Sequence, residues 1–353
     1  MVRVLVAGDM FMKPSVVESI LKEVLEKSGI APEIKVVEWK FKGYQLGKRA
    51  GIKKEIREFA GDPQELAELV KDIEILIVHV APITNEVILA GESLKIIGCA
   101  RGSPVNVDVD AATAKKIPVL YTPGRNSEAV ADFTIGLMIA CMRNIVNSHQ
   151  LLKRGVWYDE FYSYDLCGNE LSNLTLGLIG FGRVGYEVAK RAKAFDMKVI
   201  AYDPYVSREK MDEFKVEKAE SLETVLKEAD VVSIHARLTR ETYHMIGERE
   251  LRMMKDTALL INTSRGELID EKALIKALKE KWISGAALDV FESEPLSPNY
   301  PLLELDNVIL TPHIAGASKQ TVHRAAKILG EDVVRILKGE KPHHCANPEV
   351  FVF

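Results

Sequence analysis

The fold is decided by residues 175–203, which read TLGLIGFGRVGYEVAKRAKAFDMKVIAYD. An apolar run is followed by a glycine-rich turn, a stretch with helical periodicity and a second apolar run that ends in Asp203. The turn has the spacing G-x-G-x-x-G, and the acid comes about twenty residues later, as in nucleotide-binding βαβ units. The segment therefore predicts a βαβ unit that binds a dinucleotide.

Each part of this segment has a physical task in binding a dinucleotide. The first glycine permits a tight turn, the second lets the backbone approach a pyrophosphate, and the third allows close packing of helix on strand. The amides that open the helix face the anion, and the acid accepts hydrogen bonds from the ribose hydroxyls. We assign cofactor binding to Gly180, Gly182, Arg183, Val184, Gly185 and Asp203.

The type of dinucleotide follows from the charge of Asp203. A carboxylate at this position repels the 2′-phosphate of NADP, so NAD is favoured. Ser207 and Arg208 follow shortly afterwards and could hold such a phosphate. The sequence thus predicts NAD as the cofactor and leaves the strictness of the preference open.

Short β-branched runs with helical stretches between them extend in both directions from this unit. This rhythm predicts two parallel α/β sheets, a flavodoxin-like sheet and a doubly wound dinucleotide-binding sheet, in two Rossmann-like domains. We expect a substrate-binding domain formed by residues 1–124 and 315–353, and an NAD-binding domain at 125–314. One apolar helix is expected between the series at 126–147, and a long amphipathic helix at 318–337 is expected to return to the first domain. The predicted strands are residues 2–7, 33–39, 74–80, 94–100 and 118–122, then 175–180, 198–203, 230–235, 258–264, 283–290 and 307–313.

Composition narrows the environment and the partners. A chain of 353 residues with a formal charge of −4 is long enough for two cores and does not favour nucleic acid or an anionic membrane. The longest apolar run, residues 135–142, is too short to span a bilayer, and the N-terminus resembles a strand rather than a signal peptide. We expect a cytoplasmic protein. Its four scattered cysteines fit buried thiols better than disulfides or zinc ligands, and no histidine suggests a metal site.

Ionisable residues lie at the carboxyl ends of three predicted strands of the second series. This is the edge at which such sheets hold ligands. Arg265 could bind a carboxylate and a carbonyl oxygen together, and His313 could exchange a proton with the oxygen on a carbon that accepts hydride. A carboxylate behind the imidazole would hold its orientation. We choose Glu294 for this role, although the spacing alone does not separate it from Glu292 or Asp289.

Five ordered motifs resemble the D-isomer-specific 2-hydroxyacid dehydrogenase family along nearly the whole chain. The resemblance implies that Arg265, Glu294 and His313 form the active site, that Asp289 supports it, and that a cleft separates two domains of a homodimer joined through its cofactor domains. We add Pro204, Thr263 and Asp289 to the cofactor-binding set, because they lie within these motifs. The motifs are GFGRVG (180–185), YDP (202–204), INTSRGELID (261–270), AALDVFESEPL (286–296) and LTPHIAGAS (310–318).

The loop after the strand at 94–100 is expected to bind the substrate. Similar loops in the family bind the substrate carboxylate, and here the loop contains Arg101, Gly102 and Ser103. Arg101 departs from the commoner glycine-rich form and could reach a second anionic group, such as a phosphate or a distal carboxylate. Alternatively, Arg101 is solvated or forms a salt bridge across the cleft.

The resemblance implies an NAD-dependent D-2-hydroxyacid dehydrogenase that interconverts a 2-hydroxy acid and a 2-oxo acid. Two other hypotheses use the same scaffold. One is an NAD-sensing interaction protein of the corepressor type, and the other is a dehydrogenase of the formate or phosphite type. The sequence names neither the acid nor the physiological direction.

Overall fold

The computed structural model describes residues 2–40 and 56–351. Contacts divide the chain into two compact units, the first formed by Met1–Asn126 and Ala317–Phe353 and the second by Ser127–Gly316. These edges lie two residues beyond the predicted domain boundaries. The first unit is therefore built from both ends of the chain, and the second is one continuous segment.

The first unit has a parallel five-stranded sheet with the order β2-β1-β3-β4-β5. This is the flavodoxin-like order, so the predicted fold class of this unit is confirmed. The order reverses between β1 and β3, which places the switch point of the sheet between these strands. The strands are β1 (Val2–Gly8), β2 (Pro32–Glu38), β3 (Ile75–Val78), β4 (Ile96–Cys99) and β5 (Val119–Tyr121), and the helices between them are α1 (Pro14–Lys27), α2 (Pro63–Leu69), α3 (Asn85–Ala90) and α4 (Val109–Ala114).

The second unit has a parallel seven-stranded sheet with the order β12-β11-β10-β9-β6-β7-β8. This is the doubly wound order of dinucleotide-binding domains with one added strand, and it confirms the predicted fold class. The strands are β6 (Thr175–Ile179), β7 (Lys198–Tyr202), β8 (Glu217–Lys218), β9 (Val231–Ile234), β10 (Leu259–Asn262), β11 (Gly285–Leu288) and β12 (Val308–Leu310). The helices are α5 (Ser127–Met142), α6 (Ile145–Lys153), α7 (Arg183–Lys193), α8 (Arg208–Asp212), α9 (Leu222–Glu228), α10 (Glu248–Leu251) and α11 (Glu271–Lys279).

The single helix predicted at residues 126–147 is wrong in one respect, because the segment forms the start of a bent pair. Helices α5 and α6 meet at 66°. Asn144 lies between them with φ at 53°, a left-handed conformation that asparagine tolerates, and its Nδ2 donates to the Leu166 carbonyl at 2.8 Å. Within the described residues, no single helix is long and apolar enough to cross a membrane; α5 and α6 pass that test only as a bent pair.

The C-terminal helix α12 (Lys319–Leu337) packs against α1 in the first unit. Gly330 makes this approach close, since a Cβ there would lie 3.1 Å from Val24 Cγ1. Beyond the helix, the buried Asn347 accepts a hydrogen bond from the Val119 amide and donates to the Ile117 carbonyl. The chain end therefore closes the edge of the five-stranded sheet.

All four cysteines are free thiols. Burial raises the pKa of Cys99 to about 11 and that of Cys141 to about 12, so both are protonated at neutral pH. The expectation of buried thiols is wrong for Cys167, which is exposed because it lies in the loop between α6 and β6.

Candidate active site

The glycine turn between β6 and α7 has the geometry of a pyrophosphate cradle. Gly180 has φ at +96°, and a Cβ there would lie 2.8 Å from the Ala236 nitrogen. A Cβ on Gly185 would lie 2.4 Å from the Gly180 oxygen, whereas a Cβ on Gly182 would meet nothing within 4 Å. The open space at Gly182, in front of the N-terminus of α7 at Arg183 and Val184, fits a bound pyrophosphate.

Asp203 is joined to this turn. Its Oδ2 accepts a hydrogen bond from the Phe181 amide at 2.8 Å, and its Oδ1 accepts one from the Tyr205 amide at 2.9 Å, so Pro204 lies within a closed turn. A carboxylate has about four lone-pair positions, which leaves acceptors for ribose hydroxyls. The cradle and the acid are thus brought together as predicted.

The residues proposed as alternatives for an NADP phosphate are engaged elsewhere. Ser207 caps α8 by accepting a hydrogen bond from the Lys210 amide at 3.3 Å. Arg208 forms an exposed ion pair with Glu220. The structure therefore gives neither side chain a specific orientation toward the cradle.

Arg265 lies in a loop that Asn262 shapes at the end of β10. The Asn262 side chain donates to the Arg265 carbonyl at 2.8 Å and accepts from the Ser264 amide at 3.0 Å. Arg265 itself is exposed, and its Nη1 donates to the Ser264 carbonyl at 2.7 Å. Thr263 is buried, with its hydroxyl 3.1 Å from that of Thr134.

His313 and Glu294 form a carboxylate–imidazole pair. His313 Nδ1 lies 2.8 Å from Glu294 Oε2, and Glu294 Oε1 accepts a hydrogen bond from the Phe291 amide at 3.0 Å. His313 has φ at 55°, and its amide donates to the Asp289 carbonyl at 2.8 Å. The ring and the backbone of His313 are therefore both held in place by hydrogen bonds.

The three acids that the spacing left open have different partners. Asp289 is 1% exposed and accepts from the Thr311 hydroxyl and from the Ile314 and Ala315 amides at 2.6–2.9 Å. Asp289 therefore orders the backbone after β12, whereas Glu294 holds the His313 ring.

Glu292 forms a second carboxylate–imidazole pair, with its Oε1 2.7 Å from His244 Nε2. With Asp270 these residues place three possible metal ligands within 4.8 Å of one another. The same oxygens hold local structure, because Glu292 Oε1 accepts from the Glu271 amide and Asp270 Oδ1 caps α11. We assign no metal to this group.

The substrate-loop residues lie after β4 in the first unit. Gly102 and Ser103 are exposed. Arg101 is only 11% exposed and forms an ion pair with Glu58, and its Nη1 also donates to the Glu58 carbonyl at 2.7 Å. The structure thus shows a salt bridge within the first unit, whereas the predicted alternatives were a second anionic group of the substrate, solvent, or a salt bridge across the cleft.

A buried polar chain in the first unit escaped sequence reasoning. Asp9 Oδ2 lies 2.6 Å from His79 Nδ1, and His79 Nε2 lies 3.3 Å from Arg125 Nη2. Burial lowers the pKa of His79 to about 4, so the ring is neutral at pH 7. A neutral ring donates a hydrogen bond through one nitrogen, here toward Asp9, and accepts one through the other, here from Arg125. The available signal was that Asp9 follows β1 and His79 follows β3, on the two sides of the switch point.

Comparison with known proteins agrees with this geometry. The family model described as "D-isomer specific 2-hydroxyacid dehydrogenase, NAD binding domain" matches residues 135–315, more than half of the chain. The chain belongs to the D-isomer specific 2-hydroxyacid dehydrogenase family. The predicted family and the NAD cofactor are confirmed, and the protein is an NAD-dependent 2-hydroxyacid dehydrogenase.

Relatives of this 2-hydroxyacid dehydrogenase include glyoxylate reductases and D-3-phosphoglycerate dehydrogenases. Glyoxylate reductase of Thermofilum pendens is 43% identical over 299 residues, which are 84% of this chain and 88% of that protein. D-3-phosphoglycerate dehydrogenase of Methanocaldococcus jannaschii is 44% identical over 80% of this chain, which spans 53% of that longer protein. The NAD-complexed crystal structure of a D-isomer specific 2-hydroxyacid dehydrogenase from Lactobacillus delbrueckii ssp. bulgaricus has a TM-score of 0.77 at 27% identity, with 97% of this chain and 100% of that chain covered.

Proposed function

We propose that the enzyme interconverts a small 2-oxo acid, of the glyoxylate kind, and the corresponding D-2-hydroxy acid. The observation that carries the proposal is the His313–Glu294 pair at 2.8 Å, two strands away from the Arg265 loop at the same edge of the sheet. Bound NAD(H) supplies or accepts the hydride at C2. The names of the glyoxylate reductases support the substrate class.

His313 serves as the general acid in reduction and as the general base in oxidation. Glu294 engages Nδ1, so the proton exchanged with the substrate oxygen is carried by Nε2. A positioned imidazole of this kind contributes about a hundredfold or more to the rate. Glu294 keeps the ring in one orientation and stabilises the imidazolium by its charge.

Arg265 binds the substrate carboxylate and polarises the carbonyl that receives the hydride. A guanidinium donates to both groups at once through a planar, rigid fork, whereas a lysine ammonium lacks this fixed geometry. The Asn262 bonds fix the backbone that carries it, and the exposed side chain is accessible. For the first unit, we propose that the amides of Gly102 and Ser103 bind a substrate carboxylate, since small residues leave the backbone accessible.

The proposal is tested by following NADH oxidation with glyoxylate, hydroxypyruvate, pyruvate and longer 2-oxo acids. We expect turnover of at least the smallest acids and none without a 2-oxo acid. Tight NADH binding with no acid reduced would overturn the proposal, and assays with formate and phosphite and a search for protein partners would then follow.

We also propose that the enzyme is a homodimer formed through its second unit. The segment between α6 and β6 exposes three large aromatic residues, Trp157 at 82%, Tyr162 at 94% and Tyr164 at 95%. Exposed aromatic groups of this density are typical of interfaces. Sedimentation should give a dimer for the native protein and a monomer for the variant Tyr162→Glu/Tyr164→Glu, whereas a native monomer would contradict the proposal.

A further inference from the structure

The names of the relatives point to two substrate classes that differ in charge. Glyoxylate carries one negative charge, whereas the oxidised form of 3-phosphoglycerate carries a phosphate as well. We propose that Glu58 determines the charge class of the substrate, because it occupies Arg101 and so restricts the site to 2-oxo acids with one anionic group. This inference rests on the proposed function and on Arg101 belonging to the substrate loop.

The structure holds both Arg101 and Glu58 in place for their contact. Arg101 follows β4 at the carboxyl edge of the five-stranded sheet, and it donates to both the backbone carbonyl and the carboxylate of Glu58. The neighbouring Arg57 amide donates to the Val105 carbonyl at 2.8 Å, which ties the segment to the substrate loop. Glu58 has φ at 51°, a conformation that non-glycine residues adopt infrequently and that is often found at functional sites.

The charges of this edge are already balanced. The side chains of Arg101 and Glu58 are 11% and 23% exposed, and a largely buried guanidinium needs a nearby anion. Arg125 lies at the same edge, and the His79 ring connects it to the carboxylate of Asp9. An additional phosphate or carboxylate would have to displace Glu58 and then remain close to the displaced charge.

A substrate with a single carboxylate avoids this conflict. It can use the loop amides while the ion pair stays intact. Removal of the Glu58 charge without a change in shape would free the Arg101 guanidinium for a second anionic group. Glu58 is thus a specificity-determining residue. Arg101 is its ion-pair partner and does not form a phosphate site while this pair is intact.

The test compares Glu58→Gln with the native enzyme on glyoxylate and hydroxypyruvate, and on 2-oxoglutarate and phosphohydroxypyruvate. We expect the native enzyme to prefer the singly charged acids. In Glu58→Gln, kcat/KM for the acids with two anionic groups should rise about tenfold or more relative to glyoxylate, mainly through KM, because one unfavourable charge is gone. The double variant Glu58→Gln/Arg101→Gln should lose this gain.

A matched control is Glu74→Gln. Glu74 is similarly buried at 17% exposure and pairs with Lys95 at 2.7 Å, but it precedes β3 and so lies at the opposite edge of the same sheet. Its variant should leave the ratio of the two substrate classes unchanged. A native preference for acids with two anionic groups, or the same ratio in Glu58→Gln as in the native enzyme, would overturn the inference.

A binding measurement separates this inference from the proposed function. Inorganic phosphate should raise the melting temperature of Glu58→Gln more than that of the native protein or of Glu58→Gln/Arg101→Gln. If no 2-oxo acid is reduced but phosphate stabilises Glu58→Gln more than the other two proteins, the proposed function fails. The role of Glu58 in excluding a second anionic group from Arg101 then still stands. An equal response of all three proteins to phosphate overturns that role.

Discussion

Among individual residues, the three acids in the short loop after β11 have different roles. Asp289 orders the backbone around His313, Glu294 holds the imidazole, and Glu292 contacts His244. Only the contact of Glu294 bears directly on a proton carried by the His313 ring. Substitutions in this loop should therefore have separable effects.

The role of His313 predicts a loss of turnover without a loss of cofactor binding. His313→Asn, which tolerates the left-handed backbone, should lower kcat about a hundredfold or more while the Kd for NADH stays near the native value. Steady-state kinetics and fluorescence titration with NADH measure these effects, and an unchanged kcat in His313→Asn would exclude the proton-transfer role.

Arg265→Ala should instead raise KM for the acid as well as lower kcat, because it removes a substrate contact. The same kinetic and titration measurements test this prediction.

The sequence predicted part of this site and missed part of it for identifiable reasons. Its motifs placed Arg265, Glu294 and His313 on adjacent strand ends, but spacing alone could not choose among the three acids. The pair of Arg101 and Glu58 joins residues 43 positions apart in loops, where no periodicity signals a contact. Such a pairing depends on tertiary structure alone.

At the level of secondary-structure elements, the turn between β6 and α7 makes a prediction with its own control. Gly182→Ala should keep native stability, because its Cβ meets no atom within 4 Å, yet weaken NADH binding by occupying space for the pyrophosphate. Gly180→Ala should destabilise the unit, because φ is +96° and its Cβ would clash with the backbone at Ala236. Melting curves and NADH titrations distinguish the two, and equal effects on stability would contradict this account.

All eleven predicted strands occur. Most of them are buried parallel strands, which are recognisable as short apolar runs, whereas β2 and β12 have no fully buried residue. Strand β8 was missed, since a two-residue strand of Glu217 and Lys218 has no apolar pattern. The bend between α5 and α6 was also missed, because a left-handed Asn144 interrupts a run whose composition remains helical. Apolar patterning thus predicts which elements exist more reliably than where one helix ends.

Across the whole molecule, the buried His79 and the half-buried His235 predict a loss of stability in mild acid. Burial lowers the pKa of His79 to about 4, with Asp9 opposing and Arg125 and Arg101 adding to the shift, and burial lowers that of His235 to about 3. In the unfolded chain both titrate near 6.5, so the unfolded state binds more protons between about pH 6.5 and pH 4. The free energy of unfolding should therefore fall as pH falls through this window, by up to about 1.4 kcal/mol per pH unit for each histidine.

Denaturant unfolding at several pH values between 7.5 and 4.5 measures this slope. His79→Gln should reduce it, since glutamine does not titrate, and His235→Gln should do the same independently. Asp9 has a lowered pKa as well, but it contributes only below the window, near and under its ordinary value of 3.8. A slope that is identical in the double variant and the native protein would show that these histidines are not the cause.

The division of the first unit between the two ends of the chain has a consequence for synthesis on the ribosome. The second unit is one uninterrupted segment and can fold as soon as residues up to Gly316 have emerged. The five-stranded sheet emerges earlier but must wait for α12, whose Ala325 and Leu329 belong to its core. During that interval, the apolar side of the sheet and α1 is uncovered, so the nascent chain exposes surface that favours aggregation.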